Sequence, residues 1–284
     1  MPLKTILVHL DTEAQAQALS KAAITVAKTF LAHVIGLHVA PNPFISASMS
    51  GEMMGELIQA QREANQASGT QIAEIFDKTV AGSGVAFEWR MFEANSEATS
   101  SVITRQGQTC DLVILGQSDN TINLIDGIGT AEDVMFGIGR PVLIIPITSL
   151  PGIIGRRILL AWNGSRESAR ATFDALPFLE KAESVHIFAA GQTETALWGS
   201  LGDDRAPTAE LEATLKRHGV VTSVVTAKAS GADVANKLLA AAKGYDCDLI
   251  VMGGYGHWRV REIVFCGATR GVLSNTTFPV LMSH

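Results

Sequence analysis

The chain repeats itself. Thr5-Ile6-Leu7-Val8-His9-Leu10-Asp11 has a counterpart in Arg157-Ile158-Leu159-Leu160-Ala161-Trp162-Asn163. Asp111-Leu112-Val113-Ile114-Leu115-Gly116 has one in Asp248-Leu249-Ile250-Val251-Met252-Gly253, and Pro141-Val142-Leu143-Ile144 one in Pro279-Val280-Leu281-Met282. Three signals in one order, given twice, make each half a copy of the same structural unit. Pro151, Gly152 and Gly155 mark a linker around Thr148–Gly155. The expected domains are therefore residues 1–148 and 155–284, each of ordinary single-domain size. The first and second signals stand about 15 residues further apart in the first half, a surplus placed at Pro41–Glu56, where Pro, Ser, Met and Gly cluster. The second and third signals keep nearly the same spacing in both halves, which argues for shared geometry there.

Within each half, short apolar runs alternate with helical patterns. Strands are expected at Lys4–Leu10, His33–Val39, Phe87–Met91, Leu112–Leu115 and Val142–Ile145. They are continuous apolar runs, as parallel strands covered on both faces require. Glu13–Leu31 and Glu56–Val80 carry apolar residues at helical spacing, and Asn95 or Ser96 is placed to cap a third helix through Val102 and Ile103. In the second half, a helix capped by Ser165 is expected to run to Leu179 and a strand to cover Val185–Ala189. A helix at Ala209–His218, a strand at Val220–Thr226 and a helix at Ala232–Lys243 follow. Strand-helix alternation gives an α/β fold of two tandem doubly wound parallel-sheet domains.

Charge and composition narrow the function classes. The formal charge is −6 and Lys and Arg are scattered, so no basic surface is expected to recruit nucleic acid. The apolar runs fall well short of the roughly 20 residues of a membrane span. No signal-peptide pattern precedes the strand at Leu3–Leu10, so a cytoplasmic location is expected. Cys110, Cys247 and Cys266 form no Cys-x-x-Cys pair, and each is read as a small buried side chain. His-Glu-x-x-His, Gly-x-Ser-x-Gly and Gly-x4-Gly-Lys-Ser/Thr are absent. His9, His38 and His186 fall in expected strands and are read as core or strand-end residues. Asp126 and Asp133 read as solvated acids, with a cation site as the rival reading; Met49, Met53 and Met54 suit an interface, a local core or a mobile segment.

Open α/β sheets bind ligands beyond the carboxyl ends of their strands. There the second half reads Gly253-Gly254-Tyr255-Gly256, then nine residues, then Cys266-Gly267-Ala268-Thr269-Arg270. Two glycines three apart suit a plain turn, and equally a backbone cradle for phosphate oxygens. A following helix N-terminus adds donors, and Arg259, Arg261 and Arg270 add charge. His257 sits in the same loop.

In this pattern the chain resembles the universal stress protein family in its tandem form, a fold shared with adenine nucleotide alpha hydrolases. The family loop is Gly-x2-Gly-x9-Gly followed by Ser or Thr; its first strand ends in an Asp that reads adenine, and its last strand carries Pro-Val-Leu. Trp162-Asn163-Gly164-Ser165-Arg166-Glu167 resembles the strand-to-helix turn of tandem members. The resemblance implies binding of ATP or another adenine nucleotide, with Mg²⁺ as a possible bridging ion. In the first half it points to Asp11, Val39, Gly116, Gly129 and Thr130, with Asp119 in place of the second glycine. In the second half it points to Asn163, Ala189, Gly253, Gly256 and Gly267. There Cys266 replaces the third glycine, Gly267 the Ser or Thr, and Asn163 the Asp, keeping an acceptor oxygen without the charge. Asp119 beside a triphosphate is repulsive unless a cation intervenes.

The resemblance implies a stress-response nucleotide sensor or binding module that signals to a protein partner. No catalytic base or phosphoryl-transfer lysine is found, so at most slow ATP hydrolysis is expected. The alternatives are a weak ATPase or adenylate-forming enzyme, and a nucleotide-free interaction scaffold. The strands Val142–Ile145 and Val280–Met282 resemble the family's pairing edges and are expected to join the halves as an intramolecular pseudo-dimer, with a homodimer of whole chains left open.

Overall fold

The computed structural model describes residues 2–42, 51–94, 97–117, 130–146, 152–191, 208–229, 233–254 and 263–284. In the first half β1 (Thr5–His9), α1 (Glu13–Phe30), β2 (His33–Ala40), α2 (Gly51–Val80) and β3 (Phe87–Glu93) follow in turn. Then come α3 (Thr99–Gly107), β4 (Leu112–Gly116), α4 (Thr130–Ile138) and β5 (Val142–Ile145). The second half contains β6 (Arg157–Ala161), α5 (Arg166–Asp174), α6 (Leu176–Leu179), β7 (Ser184–Gly191) and α7 (Thr208–Arg217). It ends with β8 (Thr222–Lys228), α8 (Asp233–Gly244), β9 (Leu249–Gly253), α9 (Ile263–Asn275) and β10 (Val280–Ser283).

All ten strands form one sheet in the order β3-β2-β1-β4-β5-β10-β9-β6-β7-β8. Each half has the same internal order, read outward from the centre in opposite directions. Every pair is parallel except β5 with β10, where Leu143 faces Leu281, Ile144 faces Val280 and Val142 faces Met282. The two Pro-Val-Leu segments thus close each other's edge, as the sequence led one to expect. Two contacts lock this joint from the sides: Phe30 and Phe178 meet edge-to-face at 4.8 Å, and Gln117 Nε2 donates to Leu273 O at 2.6 Å.

Helices cover both faces of the sheet, which is why the strands read as unbroken apolar runs. One core layer holds Ile6, Val8, Leu10, Ile158 and Leu160 with Phe76 and Phe178. The other holds Leu7, Val113, Leu159 and Ile250 with Val134 and Val272. The Asp that precedes each fourth strand has a defined job. Asp248 accepts from the backbone N–H groups of Gly155, Arg156 and Arg157 at 2.7, 2.9 and 3.2 Å. Asp111 accepts from Lys4 and Thr5 N–H at 2.8 and 2.9 Å. These carboxylates tie the start of each half's first strand to the start of its fourth. Cys110 and Cys247 beside them are buried and free, and burial pushes the Cys247 thiol up to about 12.

The structure departs from the sequence reading at three boundaries. The helix opened by Ser165 stops at Asp174, and a separate turn spans Leu176–Leu179, because Pro177 removes a backbone donor from the ladder. The eighth strand is shifted two residues, to Thr222–Lys228. The second helix starts at Gly51, so it absorbs much of the surplus assigned to the Pro41–Glu56 insertion. Met49 and the candidate caps Asn95 and Ser96 lie outside the described residues.

Candidate functional site

Strand order reverses between β1 and β4 in one half and between β6 and β9 in the other. Crevices form at such points because neighbouring connections leave toward opposite faces. In the second half the crevice is a cleft that opens to solvent. Its apolar wall is made by Ala161, Phe188, Ala190, Val234, Leu238 and Met252. Its polar rim is Asn163, Ser165, Glu167, Ser168 and Thr269.

The rim is built by the turn from β6 into α5. Gly164 supplies a positive φ of 70° that turns the chain. Asn163 Oδ1 accepts from Ser165 N–H at 3.0 Å. Ser165 then caps the helix, its Oγ accepting from Ser168 N–H at 3.2 Å, while Ser168 Oγ donates to Ser165 O at 2.9 Å. Asn163 therefore uses one of its two carbonyl lone pairs on the turn itself. Glu167, in the first turn of α5, is only 3% exposed, and its Oε1 has no hydrogen-bond partner. Arg166 Nε lies 3.7 Å from that oxygen, beyond hydrogen-bonding reach.

The glycines that end the fourth strands are needed for close packing. A Cβ on Gly253 would lie 2.5 Å from the Glu167 carbonyl carbon and 2.6 Å from Ser168 N, so only glycine lets α5 approach β9 this closely. A Cβ on Gly116 would run into the Gln15 side chain of α1. Gly254, the next residue, donates to Ser283 O at 2.9 Å and accepts from His284 Nδ1 at 3.0 Å, and Met135 of the first half packs against it.

Of the remaining residues singled out from sequence, Val39 is buried in β2 and Asp11 follows β1 with its side chain exposed. Ala189 sits in β7 between two residues that line the cleft, so strand alternation turns its side chain to the opposite face. Thr130 opens α4. Gly267 lies inside α9, which begins at Ile263, so the expected glycine turn at its start is helical instead. With Cys rather than Gly at 266, a single glycine at 267 remains, and one glycine does not break a helix. Asp119, Asp126, Gly129, Tyr255, Gly256, His257, Arg259 and Arg261 lie outside the described residues.

The first half differs at the matching place. The strand register sets His9 against Leu37 as it sets Ala161 against Phe188. His9 thus stands where the second half has a methyl group. It is 6% exposed, and its Nε2 has no hydrogen-bond partner. Burial pushes its imidazole down to about 4, Asp11 opposes that shift, and His38 adds to it. His38, also buried, donates from Nδ1 to Leu10 O at 2.7 Å. Two residues that shape the sites carried no distinct signal in the sequence. Glu167 looks like any acid in the first turn of a helix, and His9 like any strand histidine. Among the described residues, no three His, Cys, Asp or Glu side chains gather as a metal site, and no helix is long and apolar enough to cross a membrane.

Comparison with known proteins agrees with this architecture. Residues 155–284 match the model of the universal stress protein family. The second half is thus similar to that family over its whole length. Among solved structures, a universal stress protein from Archaeoglobus fulgidus DSM 4304 matches 98% of this chain and 95% of its own, with a TM-score of 0.68 and 16% identity. A protein of unknown function from Pseudomonas aeruginosa PAO1 matches 99% of this chain and 92% of its own, with a TM-score of 0.57 and 16% identity. Identity this low shows a shared fold alone, and the shared fold runs through both halves of the chain. No curated protein matches the sequence.

Proposed function

We propose that this chain is a universal stress protein, an adenine-nucleotide-binding module whose working site is the second-half cleft. The observation that carries the reading is the cleft itself: an apolar slot with a polar rim, at the strand-order reversal of a parallel sheet. The apolar wall suits the faces of a purine. After Gly254, at the end of the strand beside the slot, the sequence places Gly256, Arg259 and Arg261, with Arg270 in the helix that follows, for the phosphates. Mg²⁺ would enter with the phosphates, since no described cluster of acids is arranged to hold it. We take residues 1–148 and 155–284 as two domains with unequal roles, because His9 fills the place that Ala161 leaves open.

A sensing role follows from what surrounds Gly254. This residue is held by β10 and touched by Met135 of the other half, so a ligand bound at this strand end would act on the joint between halves. Native mass spectrometry of the purified full chain tests the reading, followed by calorimetric titration with ATP. One adenine nucleotide per chain is the expected result. An empty protein that also takes up no added ATP, ADP or AMP would overturn it and favour the interaction scaffold.

A further inference from the structure

We infer that Glu167 is the residue that selects the base in the second-half cleft, accepting a hydrogen bond from an exocyclic amino group. The inference rests on the nucleotide reading above and assigns the base-reading role to a residue other than Asn163. Three observations lead to it. Asn163 spends one lone pair of its oxygen on Ser165 N–H, and that bond fixes the amide's orientation. The helix cap is complete without Glu167, because Ser165 Oγ already serves Ser168 N–H. Glu167 nonetheless is among the residues that line the cleft; its side chain is 4% exposed, and its Oε1 makes no hydrogen bond, its charged neighbour Arg166 holding Nε 3.7 Å away. A buried carboxylate oxygen without a donor is costly, and a ligand that brings an N–H to it removes that cost. The helix N-terminus favours an acid at this position but supplies no hydrogen bond to it.

The first half supplies an internal control. Ser20 back-bonds to Ala16 O at 2.6 Å, and Thr172 to Ser168 O at 2.7 Å, which aligns α1 with α5 residue for residue. Gln15 then occupies the place of Glu167. The same helix turn accommodates an amide in the first half, so Glu167→Gln keeps a side chain that this fold already tolerates.

The chemistry commits to a ligand edge. A 6-amino purine presents a donor to Glu167, and a 6-oxo purine presents an acceptor, which the carboxylate repels. Titration of the full chain with ATP, purine riboside triphosphate and ITP reads this directly. The expected order of affinity is ATP, then the unsubstituted purine, then ITP, with ATP ahead of ITP by about tenfold or more. In Glu167→Gln the gap between ATP and ITP should shrink to about twofold, because an amide donates or accepts by turning over. Equal binding of ATP and ITP by the wild type overturns the inference and leaves the nucleotide reading standing. An unchanged preference in a folded Glu167→Gln protein overturns it too. Binding of none of the three overturns both. The wild-type series alone decides the matter if the variant does not fold.

Discussion

His9 makes the stability of this protein depend on pH in a way that one substitution removes. Its folded-state value lies near 4, against about 6.5 for an exposed imidazole, and burial is the main cause. The folded state therefore resists a proton that the unfolded chain accepts. Stability is unaffected above about pH 6.5 and is lost as pH falls from there toward about 4. Each unit of separation is worth about 1.4 kcal/mol, so by about pH 4.5 the loss reaches roughly 2.5 kcal/mol. Carboxylates begin to titrate in the same range, so the measurement is a difference. Urea unfolding of the wild type and of His9→Ala is followed from about pH 7 to about pH 4.5. His9→Ala lowers stability at neutral pH by vacating buried volume, but it flattens the curve. The gap between the two proteins should narrow by about 2.5 kcal/mol across the series, Asp11 and His38 being unchanged in both. Parallel curves would refute the reasoning, because they would mean that His9 takes up its proton as readily folded as unfolded.

Other outcomes follow from single contacts. Asp248→Ala releases three backbone N–H groups at the start of β6 and should cost about 2 to 3 kcal/mol in denaturant unfolding, more than Asp111→Ala, which releases two. Gly253→Ala drives a methyl into the backbone of α5 and should cost about 2 to 4 kcal/mol, whereas Gly254→Ala meets the flexible Met135 side chain and should cost less; a thermal melt giving the reverse order would contradict the packing described. Residues 1–148 expressed alone leave β5 unpaired and should elute as a dimer, with one β5 taking the place of β10; a stable, soluble monomer would show that the joint is not needed to protect the edge.

The fold was largely legible in the sequence because the repeat and the apolar runs report on the same thing, burial on both faces of a parallel sheet. Leu112–Leu115 and Leu249–Met252 are unbroken because helices cover them on either side, and the Pro-Val-Leu runs end each half at a strand that needs a neighbour. Element ends were less legible. Val220 is buried like a strand residue yet precedes β8, since an apolar side chain can be covered without joining the ladder. The site was only half legible. Gly253 was rightly placed at the end of a strand, but its closest neighbours are the backbone atoms of α5, so a glycine that looks like part of a phosphate cradle also answers to helix packing. Asn163 reads as a ligand contact, and the structure adds that one of its two lone pairs is taken by Ser165 N–H. Hydrogen bonds within a turn decide which acceptors remain free, and spacing alone does not reveal them.

What the halves share and where they differ follow different rules. Asp111 and Asp248, Cys110 and Cys247, and the Ser20 and Thr172 back-bonds stand at matching places, and all act on strand starts or helix interiors. The differences gather at the opposite end of the sheet: His9 against Ala161, Asp11 against Asn163, Gln15 against Glu167. That end is where side chains leave the ladder, so a change there alters a cavity without disturbing strand pairing. Once β5 and β10 join, each half also draws stability from the other through Leu143, Leu281, Phe30 and Phe178. One strand end can then bury an imidazole while the matching end of the other half lines a cleft. Two unmatched polar atoms mark this split: His9 Nε2 is buried at one strand end, and Oε1 makes no hydrogen bond in Glu167, a residue that lines the cleft in the other half. The first stores a proton-linked cost in the fold, and the second is an acceptor that an incoming donor would satisfy.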